Sequence, residues 1–397
     1  MILNLSKQKY AFVLGNNPKL SAKEIEKVLQ TEKADFKVEL INDQVMVVHV
    51  QSQLKPSELQ NVLGGTIKIA LIADYLPKNS LETVVTKLIK QRVNDLKVTK
   101  KFQFGFSRYG NFDFKRLERL GLTIKKELKK FGVNSRLVIS RESTLSSVIV
   151  QKENMISQGA DIILIDQGER IYLGYTLSVQ GFEAYSQRDY GRPARDDRSG
   201  MLPPKVAQMM INLSQAKKTQ TLLDPFCGSG TVLQEALFLG FNKLIGTDLS
   251  AKAIQDCQNN LNWLKVKYQL DLSGVKLQKI DVTELSNNLD LESIDCIITE
   301  PYLGPVTPVA LNQNYAVVEE LNKLYLKAFI EFQKVLKKNG KVVIILPVIN
   351  KQKLEILLEI KKIGFQIDPL SDDNRGSLVY SREGQRVMRE IFIFIKK

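Results

Sequence analysis

The chain predicts an α/β fold in two parts, a mostly parallel sheet in the C-terminal half preceded by a basic region of strands and helices. Three observations carry this expectation. Residues 222–231, Leu-Leu-Asp-Pro-Phe-Cys-Gly-Ser-Gly-Thr, lead a short apolar run into an acidic residue, a glycine turn and the start of a helix. Such an entry lets a ligand approach the backbone where only glycine leaves room. Three more apolar segments follow at the intervals of alternating strands and helices, and each closes on a polar or acidic group: Asp248, Asp281 and Thr299-Glu300. The region ahead of the glycine turn repeats the alternation with a large excess of Lys and Arg.

In the first part, residues 10–15 read as a strand, and Ser21-Ala22-Lys23-Glu24 as a capping box that opens a helix with Ile25, Val28 and Leu29 on its buried face. Strands follow at 36–40 and 45–50, a helix at 56–63, a strand at 66–75, a helix at 81–96 and a strand at 101–107. Residues 115–131 place Leu117, Leu120, Ile124 and Leu128 at helical spacing among seven Lys and Arg residues. Arg108, Tyr109 and Phe112 just before it add groups able to stack on bases. Strands at 136–140, 147–152 and 161–166 complete a sheet. His49, the only histidine, falls in the apolar run 45–50 and reads as a strand-face residue.

Residues 188–200 are too polar to pack and read as a hinge and lid, ending at Pro203-Pro204, where proline suits a first helical turn. Met209, Met210 and Leu213 read as core of that helix. After the glycine turn come a helix at 231–239, a strand at 243–245, a helix at 251–264, and strands at 275–280 and 294–298. A fifth strand at 340–347, a helix at 354–363 and an antiparallel pair at 366–368 and 390–395 close the chain. Between the last two, residues 372–387 form a polar loop with Arg375, Tyr380, Arg382 and Arg386, read either as an RNA contact or as a solvated hairpin.

The ligand class narrows by exclusion. A P-loop needs Lys after its last glycine, and Thr231 stands there; a dinucleotide fingerprint needs a third small residue, and Leu233 stands there. Ligands of open α/β sheets bind outside the carboxyl ends of the strands. Asp248 is placed to accept ribose hydroxyls and Asp281 to meet an adenine amine, although each also suits a helix N-cap.

Composition bounds the rest. The 397 residues hold 44% hydrophobic residues, enough for two or three cored domains. Cys227, Cys257 and Cys296 form no C-x-x-C pair, which argues against a zinc site and against secretion. No apolar run spans a bilayer and the first residues lack a signal pattern, so a cytoplasmic location is expected. The net charge is +14, with 27 Lys and Arg against 16 Asp and Glu in residues 1–165, an excess of 11 there and 3 in the remainder. This asymmetry suggests a phosphate-backbone footprint on the first part.

The 224–231 loop and Pro301-Tyr302 resemble the class I amino-methyltransferases, whose D-P-F-x-G-S-G-T loop binds S-adenosylmethionine and whose [DNS]-P-P-[YF] segment handles the target amine. The resemblance implies a Rossmann-like sheet, mostly parallel with a terminal antiparallel hairpin. It implies cofactor contacts from Asp224, Phe226, Cys227, Gly228, Gly230, Thr231, Asp248 and Asp281. It assigns catalysis to Thr299, Glu300, Pro301 and Tyr302, with Tyr302 stacking on an extruded base and side-chain or backbone oxygens holding the amine. Here the sequence departs from the family: Thr299 takes the acidic position and Glu300 replaces the first proline. The acceptor is then Glu300, the backbone carbonyls, or neither.

Over the whole chain, Phe12-Val13-Leu14-Gly15-Asn16-Asn17-Pro18, residues 188–197 and Leu202-Pro203-Pro204-Lys205-Val206-Ala207 resemble the THUMP-containing RNA methyltransferases that modify N2 of a guanosine in tRNA. The implied domains are an N-terminal α/β subdomain at 1–65, a THUMP-like RNA-binding domain at 66–170, a linker and hinge at 171–205 and the methyltransferase at 206–397. Arg108, Lys115, Arg119, Lys125, Lys126 and Lys129 are the expected RNA contacts. Two other readings use the same residues: a DNA methyltransferase acting on adenine N6 or cytosine N4, and an RNA-binding protein with a degenerate pocket. The sequence leaves open the modified position, one methyl or two, and the need for an activating protein subunit.

Overall fold

The computed structural model describes residues 8–98, 101–195, 201–305, 314–350, 352–381 and 387–397. They fall into two compact units, one built from the chain up to Ala22 together with Leu29–Phe182, the other from Lys23–Val28 and Glu183–Lys397.

The first unit contains β1 (Gln8–Leu14), the two ends of α1 (Pro18–Thr31), β2 (Phe36–Ile41), β3 (Val45–Val50), α2 (Pro56–Val62), β4 (Thr66–Pro77), α3 (Leu81–Asp95) and β5 (Phe102–Tyr109). It continues with α4 (Phe114–Lys130), β6 (Ser135–Leu137), α5 (Ser147–Lys152), β7 (Gly159–Gln167) and β8 (Arg170–Val179). One sheet runs through all of it in the order β2-β3-β1-β4-β8-β7-β5-β6. The twelve-residue β4 pairs with β1 on one side and β8 on the other, so the sheet is continuous across residue 65. Alternation along β7 splits its side chains: Ile163 and Ile165 join one core, while Ile162 and Leu164 join another formed under α3 and α4.

Several expectations change here. Helix α1 begins at Pro18, and Ser21 lies inside its first turn with its N–H donating to Asn17 O. The capping box is therefore absent, because proline at the first position already supplies the helical φ. Residues 147–152 form a helix rather than a strand: Ser146 Oγ caps Ile149 N at 3.3 Å, and Val150 is the buried residue of the turn. Residues 171–179, expected within the linker, belong to a full sheet strand, β8. His49 does sit on β3, near Glu39.

The second unit contains α6 (Phe182–Tyr190), α7 (Pro204–Ser214), β9 (Leu222–Asp224), α8 (Thr231–Phe238), β10 (Leu244–Asp248), α9 (Ala251–Tyr268), β11 (Val275–Lys279), α10 (Leu285–Asn288) and β12 (Ile294–Thr299). Then come α11 (Asn314–Val335), β13 (Leu336–Ile349), α12 (Leu357–Ile363), β14 (Phe365–Ile367), β15 (Leu378–Tyr380) and β16 (Val387–Lys396). The strand order is β11-β10-β9-β12-β13-β16-β14, with β15 on β16. The first five strands are parallel, and β16 runs antiparallel to both β13 and β14. Tyr325, Phe329 and Phe332 of α11 bury with residues of β12, β13 and β16 in one core of this unit. Met209, Met210 and Leu213 are buried on α7, as expected of core residues. Order reverses at β9, which has β10 on one side and β12 on the other, and such a switch point opens a crevice at the strand ends. Among the described residues no helix is long and apolar enough to cross a membrane.

Candidate active site

The crevice holds a cavity of about 940 Å³. It is walled by the ends of β9, β10 and β12, by the turn before α8, and by Lys323, Leu324 and Lys327 of α11. Of the expected cofactor residues, Asp224, Phe226, Cys227, Gly228, Thr231, Asp248 and Asp281 line it. Gly228 has φ +51°, and a Cβ added there would meet nothing within 4 Å, so its face is open to a ligand. Gly230 does not line the cavity; it has φ +86°, and a Cβ there would lie 2.5 Å from Cys257 Sγ. Its glycine serves the packing of the loop on α9.

Charged side chains hold the loop in shape. Asp248 Oδ2 accepts from Gly228 N at 3.0 Å and Oδ1 from Ser250 N at 2.9 Å, so one carboxylate joins the end of β10 to the glycine turn. Asp281 Oδ1 accepts from Thr283 N and Oγ1, both at 2.9 Å, and so caps a short turn while still lining the cavity. Asp224 is buried, accepting from Thr299 Oγ1 at 2.7 Å and Phe226 N at 3.3 Å. Burial pushes its carboxyl up to about 7 against the pull of those hydrogen bonds.

The substrate-side segment is tied at three points. Thr299 is fully buried toward Asp224 and lines no part of the cavity, which corrects its expected catalytic role. Glu300, Pro301 and Tyr302 do line it. Glu300 Oε1 accepts from Arg389 Nε at 2.5 Å and Oε2 from Nη2 at 3.4 Å. Burial raises the Glu300 carboxyl above its usual value, with Arg389 opposing. The Tyr302 carbonyl accepts from Tyr325 Oη at 2.6 Å, while its side chain is 57% exposed.

Sequence reasoning missed the supports of this site. Two side chains of residues 188–195 do pack: Arg188 makes a bidentate pair with buried Glu235 of α8 at 2.7 and 3.1 Å, and Arg192 Nη1 donates to Thr231 Oγ1 at 2.7 Å. Asn260, fully buried on α9, ties Ser229 O to Ala194. Pairing is what lets these two arginines be buried; Asp196 and Asp197 lie outside the described residues. Arg389 and Tyr325 gave no local signal, and the expected elements include no helix between 302 and 340, where the structure has α11. Arg375 pairs with buried Glu390 at 2.9 and 3.0 Å, and Tyr380 is buried on β15, so neither is simply solvated. Arg382 and Arg386 lie outside the described residues.

In the first unit, α4 is capped by Asp113 accepting from Arg116 N, buries Leu117, Leu120, Ile124 and Leu128, and leaves Lys115, Arg119, Lys125, Lys126 and Lys129 on its solvent side. Arg108 donates to Ser143 O at 3.2 Å and lies 4.9 Å from the centre of the Phe114 ring. Tyr109 is buried, its ring within the sheet core, and cannot stack on a base.

Comparison with known proteins agrees with this geometry. The family described as RMKL-like, methyltransferase domain matches residues 192–362. The tRNA (guanine(10)-N2)-dimethyltransferase of Methanocaldococcus jannaschii is 37% identical over 108 residues, 26% of this chain and 29% of that protein. The probable tRNA (guanine(10)-N2)-dimethyltransferase of Methanothermococcus thermolithotrophicus is 31% identical over 159 residues, 40% of this chain and 87% of that protein. The chain spans under half the length of several other such relatives it matches. The crystal structure of TrmN from Thermus thermophilus shares the fold, with a TM-score of 0.58 at 17% identity over 98% of this chain and all of that one. The switch-point cavity, the glycine loop and these matches agree: the chain belongs to the methyltransferase family of the tRNA (guanine(10)-N2)-dimethyltransferases.

Proposed function

We propose that the chain transfers a methyl group from S-adenosylmethionine to N2 of a guanosine in tRNA. The observation that carries this is the cavity that joins an open glycine turn and Asp248 to Pro301-Tyr302. Family membership supports both the reaction and the nucleic acid.

Gly228 and Asp248 would hold the methionine and ribose ends of the cofactor, Asp281 its adenine, and Phe226 an apolar wall. When bound, S-adenosylmethionine supplies an electrophilic methyl. The chain's own part is alignment, which can supply most of such a rate. Tyr302, with its ring exposed and its carbonyl tethered, stacks on an extruded base. Water or Glu300 receives the amine's departing proton, so no histidine is needed.

The THUMP-like assignment of residues 66–170 completes the reading, with the Lys and Arg on the solvent side of α4 gripping the phosphate backbone by charge and shape. A cytoplasmic location fits a tRNA substrate. Purified protein with labelled S-adenosylmethionine should label unmodified tRNA transcripts, and a nucleoside digest should give N2-methylguanosine. Label on duplex DNA alone, or cofactor binding without any transfer, would overturn the proposal.

A further inference from the structure

We infer that Arg192, together with the start of α8, forms the subsite for the carboxylate at the methionine end of S-adenosylmethionine. The inference rests on that cofactor, as placed under the proposed function, and adds the residue that neutralises its carboxylate.

Among the described residues the buried arginines are Arg188, Arg192 and Arg389. Arg188 pairs with Glu235 and Arg389 with Glu300. Arg192 is 3% exposed and makes no ion pair among the described residues. Its Nη1 donates to Thr231 Oγ1 at 2.7 Å and its Nη2 to Met201 Sδ at 3.1 Å, while Nε has no hydrogen-bond partner among them. A guanidinium stays charged and carries five N–H donors, whereas a hydroxyl and a thioether are neutral acceptors, the thioether a weak one. A buried charge held this way is costly until an anion completes the site. Burial lowers the guanidinium below its usual pKa, with the charge of Asp189 opposing.

Both acceptors line the cavity, as does Ser229, whose Oγ donates to the same Met201 Sδ at 3.7 Å. Arg192 therefore stands one side chain behind the cavity wall, at the glycine turn. Asp281 and Asp248 take the adenine and ribose in the proposed reading, which leaves this corner for the amino-acid end. There Arg192 repels the ammonium and attracts the carboxylate. Helix α8 begins at Thr231, and its cap, Gly230, has no side chain to bond the first amides, so these add partial positive charge to the same corner. The unbranched Met201 side chain is adaptable, and its thioether can give way to a carboxylate, the much stronger acceptor for a guanidinium. At 3% exposure Arg192 is out of reach of an RNA backbone on the surface.

The test is calorimetry of the full chain with S-adenosylmethionine and with its decarboxylated form, which keeps the adenosine, the sulfonium and the amine. The parent should bind S-adenosylmethionine about tenfold tighter or more, the worth of a charge-assisted hydrogen bond. Arg192→Gln should lose about tenfold for S-adenosylmethionine and nothing for the decarboxylated form, so that the two bind alike. Arg192→Lys, which restores the charge without the fork, should recover part of the difference. A residue that only braced Thr231 would weaken both ligands equally in Arg192→Gln, and that result overturns the inference. Should Arg192→Gln fail to fold, the parent and the lysine variant decide. A parent that binds both ligands alike overturns it, as does a lysine variant whose two affinities fall together or do not fall at all. A parent that binds neither ligand removes the cofactor, and this assignment with it.

Discussion

Thr299 Oγ1 donates to Asp224 Oδ1 at 2.7 Å between two buried side chains, joining the strand that ends in the substrate segment to the strand that ends in the cofactor loop. The two residues are 75 positions apart and meet because β12 and β9 are parallel neighbours. The cost of this link is a carboxyl with little water around it.

That carboxyl predicts a pH dependence. Folding raises it from an ordinary 3.8 to about 7, so between those values the folded state holds a proton that the unfolded chain has released. Stability is then full below about 3.8 and declines as pH rises through about 7. Asp224→Asn should remove this part of the slope in melting temperature measured across that range. An unchanged slope would assign it to another group.

Asp248→Ala should weaken S-adenosylmethionine binding by about 1–3 kcal/mol, through removal of the acceptor and release of the Gly228 N–H. Calorimetry reads the change directly. Affinity equal to that of the parent would show that Asp248 only shapes the turn.

Charge reversal at Lys125, Lys126 and Lys129 should weaken tRNA binding and flatten its dependence on salt, by about 0.7–0.9 in the log–log slope for each phosphate no longer neutralised. Cofactor affinity should stay constant. A filter-binding series at several salt concentrations measures both, and unaltered RNA affinity would make this face of α4 merely solvated.

Breaking the Glu300–Arg389 pair should be costly because each charge is largely buried. Arg389→Met leaves Glu300 uncompensated and should destabilise the fold by about 3–5 kcal/mol. Adding Glu300→Gln to it should recover much of that loss in denaturant unfolding. Additive losses would deny the coupling.

A second buried pair tests the first unit alone. Lys68 Nζ lies 2.6 Å from Asp161 Oδ2, and Ser107 and Thr176 hydroxyls donate to the same carboxylate. Asp161→Asn should cost about 3–5 kcal/mol by leaving the Lys68 ammonium unpaired in the core. Removing both charges together should cost less, as thermal melts of the full chain would show.

The sequence by itself determined most of the strands of the second unit and the helices between its first strands, though not α11, together with the closing antiparallel pair, the glycine turn and the row of polar strand ends at Asp224, Asp248, Asp281 and Thr299. These are local: a period of two or 3.6, a glycine where φ is positive, a polar residue where a strand stops. It also marked α4, whose apolar spacing and Asp113 cap lie within one segment. Residues 147–152 misled because β-branched residues favour a strand, yet a Ser146 cap and one buried valine made a turn of helix. Only the tertiary structure decided which polar strand ends face the cavity. Thr299 and Glu300 are adjacent in the chain, but successive strand-end side chains point to opposite sides, so one is spent on Asp224 and the other lines the cavity. The partners that settle each role, Arg389 for Glu300, Tyr325 for Tyr302 and Glu235 for Arg188, come from elements 89, 23 and 47 residues away. No local pattern carries such pairings, because burial removes the water that would otherwise satisfy each charge and leaves only the fold to supply its counterpart.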